Sequence, residues 1–173
     1  RKGCLMSNSD TELVVAIPRE ADPKEKRVAL VPAMIPALTK IGLQVRLETN
    51  AGRAAGFPDQ QYLDKGAEIE SDRTQLLQHA DIVLQVRALG GNDGVESDDV
   101  SLLHDGQVLI ASCDPLTFPN SVTAVAEQGV TAFSLELVPR ITRAQSMDIL
   151  SSMATVAGYR AVLLAATAAP RMF

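Results

Sequence analysis

Residues 138–152 gather an unusual set of polar groups in one short stretch. Val138-Pro139-Arg140-Ile141-Thr142-Arg143-Ala144-Gln145-Ser146-Met147-Asp148-Ile149-Leu150-Ser151-Ser152 carries two guanidiniums, an amide, a carboxylate and several hydroxyls. It falls between an expected strand end and an expected helix start. Ligands of α/β sheets bind outside the carboxyl ends of strands, and helix N-termini favour anionic or hydrogen-bonded groups. The same residues also read as a capped helix start, with Ser146 as N-cap and Asp148 in the first turn. On chemistry alone, both readings stay open.

No second constellation stands out. His79 and His104 are isolated, and no spacing with Cys or carboxylates suggests a metal, so none is expected. Cys113 follows an expected strand, has no nearby His, and reads as a packed thiol. Asp93, Glu96, Asp98, Asp99 and Asp105 read as a solvated helix face. Lys24, Lys26 and Arg27 near Arg19 read as a solvated basic cluster.

These residues sit in a chain of 173, with 46 % hydrophobic and 21 % charged residues. That is too apolar for a disordered tail. It is long enough for one full core, and short for two ordinary domains. Sixteen basic and 21 acidic residues leave a net charge of −5, which gives no footprint for nucleic acid or anionic lipid. With no Trp, two Tyr and four Phe, base-stacking platforms are not expected. Two cysteines, Cys4 and Cys113, exclude a disulfide-rich scaffold and favour a reducing cytosol. The chain begins with Arg1, Met6 is a candidate initiator, and no signal peptide is visible.

The elements that must position the loop follow from patterning. Residues 1–11 read as a disordered tail. Leu13-Val14-Val15-Ala16-Ile17 is a continuous apolar run closed by Pro18, suited to a strand buried on both faces. Further strands are expected at 43–47, 81–86, 107–111 and from 130. Helices are expected at 32–41, 58–65, 74–79, 98–103 and 119–128, and glycines close several of them. Alternation about every 20–30 residues predicts right-handed βαβ units and a doubly wound parallel sheet, flavodoxin-like or Rossmann-like. Residues 12–146 form that domain, and 147–170 follow as a long linking helix.

The helix candidate at 147–168 has the length of a membrane span. Arg160 sits mid-segment, and Ala, Ser and Thr dominate, which argues against one. Ala157, Ala161 and Ala165 share a face. The favoured reading is a helix packed between two domains or two subunits. A glycine-rich strand-to-helix turn for a pyrophosphate is missing: Gly52 and Gly56 do not form it, nor do Gly90, Gly91 and Gly94.

The run from Pro139 through Arg160, ending Ala157-Gly158-Tyr159-Arg160, closely resembles the alpha subunits of proton-translocating NAD(P) transhydrogenases. So does the opening Ile17-Pro18-Arg19-Glu20, followed by Arg27-Val28-Ala29-Leu30-Val31-Pro32. Ala51-Gly52 and Lys65-Gly66-Ala67-Glu68-Ile69 stand where that family and the alanine dehydrogenases have similar residues. The resemblance spans about residues 12–170, and its specific part is the loop of Arg140, Gln145, Asp148 and Ser151.

The resemblance implies roles. Arg140, Asp148 and Ser151 would hold the nicotinamide end and ribose of NAD(H). Gln145 would reach toward the nucleotide of a separate NADP(H) domain and position the hydride site. Tyr159 would stand nearby, or serve as a core tyrosine. The reaction is direct hydride transfer, so positioning and water exclusion are the work, without an acid or base. The nucleotide-binding Rossmann domain would begin just after Phe173, so tight NAD(H) binding by this chain is not expected. Partners would be that domain, the membrane and NADP-binding parts, and a second copy. The location would be cytoplasmic, peripheral at the inner membrane.

Two other readings are weighed. By resemblance, an alanine dehydrogenase needs an arginine, a lysine and a histidine. Arg27 matches the first, but Arg87 and Asp114 stand at the other two positions, and an arginine is a poor proton donor near neutral pH. Arg27 also reads as an ion-pair partner for Glu20 or Glu25. The last reading is a non-catalytic α/β module that dimerises through its small-residue helix.

Overall fold

The computed structural model describes residues 12–89 and 99–170. The expected tail and the loop from Gly90 lie outside them, as do Asp93, Glu96 and Asp98.

Six parallel strands form one sheet in the order β3-β2-β1-β4-β5-β6. The strands are β1 (Leu13–Ile17), β2 (Leu43–Glu48), β3 (Glu68–Glu70), β4 (Ile82–Arg87), β5 (Val108–Ser112) and β6 (Thr131–Ser134). Of the two common doubly wound orders this is 3-2-1-4-5-6, which reverses direction between β1 and β4. Val15, Ala16 and Ile17 are all buried, because the central strand is covered on both faces.

The helices are α1 (Ile35–Thr39), α2 (Asp59–Leu63), α3 (Arg73–Gln78), α4 (Asp99–Leu102), α5 (Pro119–Glu127) and α6 (Ile149–Ala168). One face of the sheet packs Ala16, Val83, Leu109 and Ala111 against Leu76 and Leu77 of α3, Leu103 after α4, and Val125 of α5. The opposite face packs Val15, Ile17, Val45 and Leu47 against Ile35 of α1 and Tyr62 of α2. On that second face no helix among the described residues covers β4 to β6. Leu84, Val86, Ile110 and Phe133 instead line an open cleft of about 800 Å³, and Phe133 is 56 % exposed.

The expected strands and helices appear with small shifts. The short β3 is not among them. Two of its three residues are glutamates, so at a sheet edge it shows no apolar pattern. Gly42, Gly66 and Gly129 adopt positive φ after α1, α2 and α5, the left-handed conformation that ends a helix without a Cβ clash.

Candidate functional site

The strand order places the crevice at the carboxyl ends of β1 and β4. Residues 18–31 cross it, and their carboxylates organise it. Glu20 accepts the backbone N–H groups of Val86 (2.7 Å) and Arg87 (3.0 Å). It thereby ties the segment after β1 to the irregular end of β4. Burial pushes its carboxyl above the usual range, and the two backbone donors pull it back only in part.

Glu25 binds Arg27 through both oxygens, Nε at 2.8 Å and Nη2 at 2.6 Å. Arg87 Nε lies 3.5 Å from Glu25 and Nη1 lies 3.8 Å from Asp22. The Arg27 bond, chiefly, holds the Glu25 carboxyl down at about 2, against a smaller desolvation effect. Arg27 is thus the partner of Glu25, one of the two carboxylates the sequence suggested.

On the far side of the cleft lies the loop singled out by sequence. Thr142–Met147 forms a 3-10 helix anchored by buried Ala144, with Arg140 and Gln145 exposed. Asp148, not Ser146, is the N-cap of α6. Its Oδ1 accepts the N–H groups of Leu150 and Ser151, both at 3.0 Å. Its Oδ2 accepts the Ser151 hydroxyl at 2.6 Å. The Ser151 hydroxyl, its N–H, and more weakly Leu150 N–H and Arg140, hold the Asp148 carboxyl below its ordinary range. The 3-10 run uses Ser146, so α6 starts two residues later than the sequence pattern suggested.

Arg140, Gln145, Asp148 and Ser151 therefore belong to one surface between β6 and α6. Tyr159 is not a core residue, being 70 % exposed. It lies eight residues beyond Ser151, about 12 Å along the helix axis.

The other candidates separate. Asp114 has a left-handed backbone, and its N–H and that of Cys113 are both bound by Glu136 Oε1. Cys113 is packed, its thiol pushed up to about 11 mainly by burial. Asp99 is no solvated charge. It accepts Arg73 Nε and Nη2 at 2.7 and 2.6 Å, and the same guanidinium binds Glu48 at 2.5 Å. Sequence reasoning missed this clamp, because its members are 25 and 26 residues apart with no shared period. Among the described residues, no cluster of three or more His, Cys, Asp or Glu could hold a metal.

The implied dinucleotide fits this chain in part. Arg140 and Gln145 offer donors, and Asp148 offers acceptor oxygen, at the nicotinamide and ribose end. The pyrophosphate does not fit at the β1 turn, where charged residues 18–31 fill the place of a glycine cradle.

Known proteins agree with this architecture. Residues 16–157 match the family model described as alanine dehydrogenase/PNT, N-terminal domain. The first of the separately encoded pieces of NAD(P) transhydrogenase subunit alpha from Rhodospirillum rubrum is 42 % identical over 150 residues, 86 % of this chain and 38 % of its own length. A transhydrogenase structure from Sinorhizobium meliloti aligns at TM-score 0.82 and 39 % identity, over 91 % of this chain and 45 % of its own. An L-alanine dehydrogenase aligns at 0.79 and 25 %, over 90 % and 40 %. The chain thus spans less than half the length of these relatives. Its sheet, its opening segment and its strand-to-helix loop are those of the alanine dehydrogenase/transhydrogenase N-terminal domain family, to which it belongs.

Proposed function

We propose that this chain is the first domain of the NAD(H)-side alpha component of a proton-translocating NAD(P) transhydrogenase. In this reading residues 12–146 are the α/β domain and 147–170 the linking helix. The carrying observation is the surface formed by Arg140, Gln145, Asp148 and Ser151, set between the end of β6 and the start of α6. The 42 % identity to a transhydrogenase alpha chain supports the same reading.

In the complete protein, a bound dihydronicotinamide supplies the hydride. This chain's residues orient and shield. Asp148, kept ionised and fixed by Ser151, presents acceptor oxygen toward a ribose or carboxamide. Arg140 adds a positive edge. Gln145, exposed at the tip of the 3-10 run, reaches toward the second nucleotide on an NADP(H)-binding partner. Tyr159 flanks the approach along α6. None of these groups moves a proton. Their contribution is near-attack geometry. The complex would be peripheral on the cytoplasmic side of a membrane, with a second copy and a membrane component as partners. The chain alone would not hold NAD(H) tightly.

The test is hydride transfer from NADH to an NADP+ analogue by the complete alpha component plus its NADP-binding partner. Gln145→Ala should lower the transfer rate about tenfold or more, the scale of a lost orientation of about 1.4 kcal/mol, with little change in NADH affinity. An unchanged rate would remove Gln145 from the hydride site.

The alanine dehydrogenase reading is disfavoured by a specific contact. Both arginines that could take a carboxylate substrate, Arg27 and Arg87, already contact Glu25.

A further inference from the structure

Helix α6 is a cantilever. It runs for 20 residues and has no buried residue among them. It is fixed only near its start, where it meets the 3-10 turn Leu135–Leu137 and where one side chain reaches it from the far side of the cleft. That side chain is Arg27. Its Nε and Nη2 are held by Glu25, and its backbone N–H also binds Glu25 Oε1 at 2.9 Å. The planar guanidinium is therefore locked, and its remaining edge has one direction to face. Nη1 donates to Met153 Sδ at 3.1 Å, joining residues 126 apart in sequence.

A continuous chain of contacts results. Arg87 at the end of β4 touches Glu25, Glu25 orients Arg27, and Arg27 grips the first turns of α6. We propose that Arg27 is a positioning residue, a latch that sets the angle at which α6 leaves the sheet. A helix of 20 residues is about 30 Å long, so a swing of about 10° at its base moves its far end by about 5 Å. Anything carried beyond α6 would shift with it relative to Gln145 and Asp148. The consequence for hydride transfer rests on the function proposed above. The latch itself does not.

Pulsed electron–electron distance measurement tests it on this chain. Spin labels are placed at Lys65→Cys, after α2, and Ala161→Cys, on α6, with Cys4→Ser. Both label sites are exposed, and Cys113 is buried. The parent should give one narrow distance distribution. Arg27→Met and Met153→Leu should each widen or displace it by several Å, on the scale of the lever just described. Met153→Glu should keep it narrow, because a carboxylate replaces the thioether as the acceptor for Arg27. Combining Met153→Glu with Arg27→Met should widen it again. If Arg27→Met does not fold, Met153→Leu decides alone, since Met153 is 41 % exposed and its loss leaves the core intact. A distribution unchanged from the parent in Met153→Leu would overturn the latch. So would a Met153→Glu distribution as wide as that of its Arg27→Met combination.

Discussion

Individual residues in this domain act mainly by holding backbone ends. Glu20 does so for β4, Glu136 for β5 and Asp148 for α6. Glu25 holds a side chain instead, and it gives a pH prediction. Its folded pKa of about 2 lies below the ordinary 4.5. A depressed carboxyl stabilises the fold above the unfolded value and loses that stabilisation as pH falls through the folded one. Urea unfolding should therefore show stability falling between pH 4.5 and 2. Glu25→Gln should flatten part of that slope and cost roughly 1–2 kcal/mol at neutral pH, between an exposed pair and a charged hydrogen bond, because Arg27 is half exposed. An equal slope in parent and variant would show that Glu25 is not linked to folding. At this scale the sequence was half legible. It offered Glu20 and Glu25 as partners for Arg27, since all three are local. It could not show Met153, because nothing periodic connects residue 27 to residue 153.

Elements show where local pattern suffices. The apolar run of β1 announced burial on both faces, and Asp72 capped α3 as a short side chain before a helix does. The cap of α6 was harder. Ser146 and Asp148 are both good cap formers two residues apart, and the packing of Ala144 in the 3-10 run decided between them. The turn after β2 carries a sharper constraint. A Cβ on Gly52 would lie 2.5 Å from the Tyr62 hydroxyl and 2.9 Å from the Phe57 carbonyl. Tyr62 is fully buried, and its hydroxyl donates to the Leu30 carbonyl at 3.0 Å, so it has little room to yield. Gly52→Ala should destabilise the domain by about 1–3 kcal/mol, the usual cost of overpacking, read as a lower urea midpoint with unchanged slope. A midpoint equal to the parent's would mean the turn relaxes freely. Burial also pushes the Tyr62 phenol up to about 12, in keeping with a site that excludes water.

The whole molecule is unevenly covered. One face of the sheet is packed along β1, β4 and β5, while the other is covered over β1 and β2 and open over β4 to β6. That open face, the exposed α6, and the polar loop between them converge on one side. The alternation of strand and helix made the doubly wound sheet legible from sequence. The open face was not, because half-buried and fully buried strands have the same apolar composition. Relatives more than twice as long fit a domain whose polar loop serves a nucleotide held elsewhere in the protein. The central claim is that this loop serves transfer between two nicotinamides rather than amino-acid oxidation. The most direct measurement gives the complete protein, with its NADP-binding partner, two assays side by side: NADH with NADP+, and NAD+ with L-alanine. The account predicts NADP+ reduction and no alanine oxidation, whereas alanine oxidation without NADP+ reduction would contradict it.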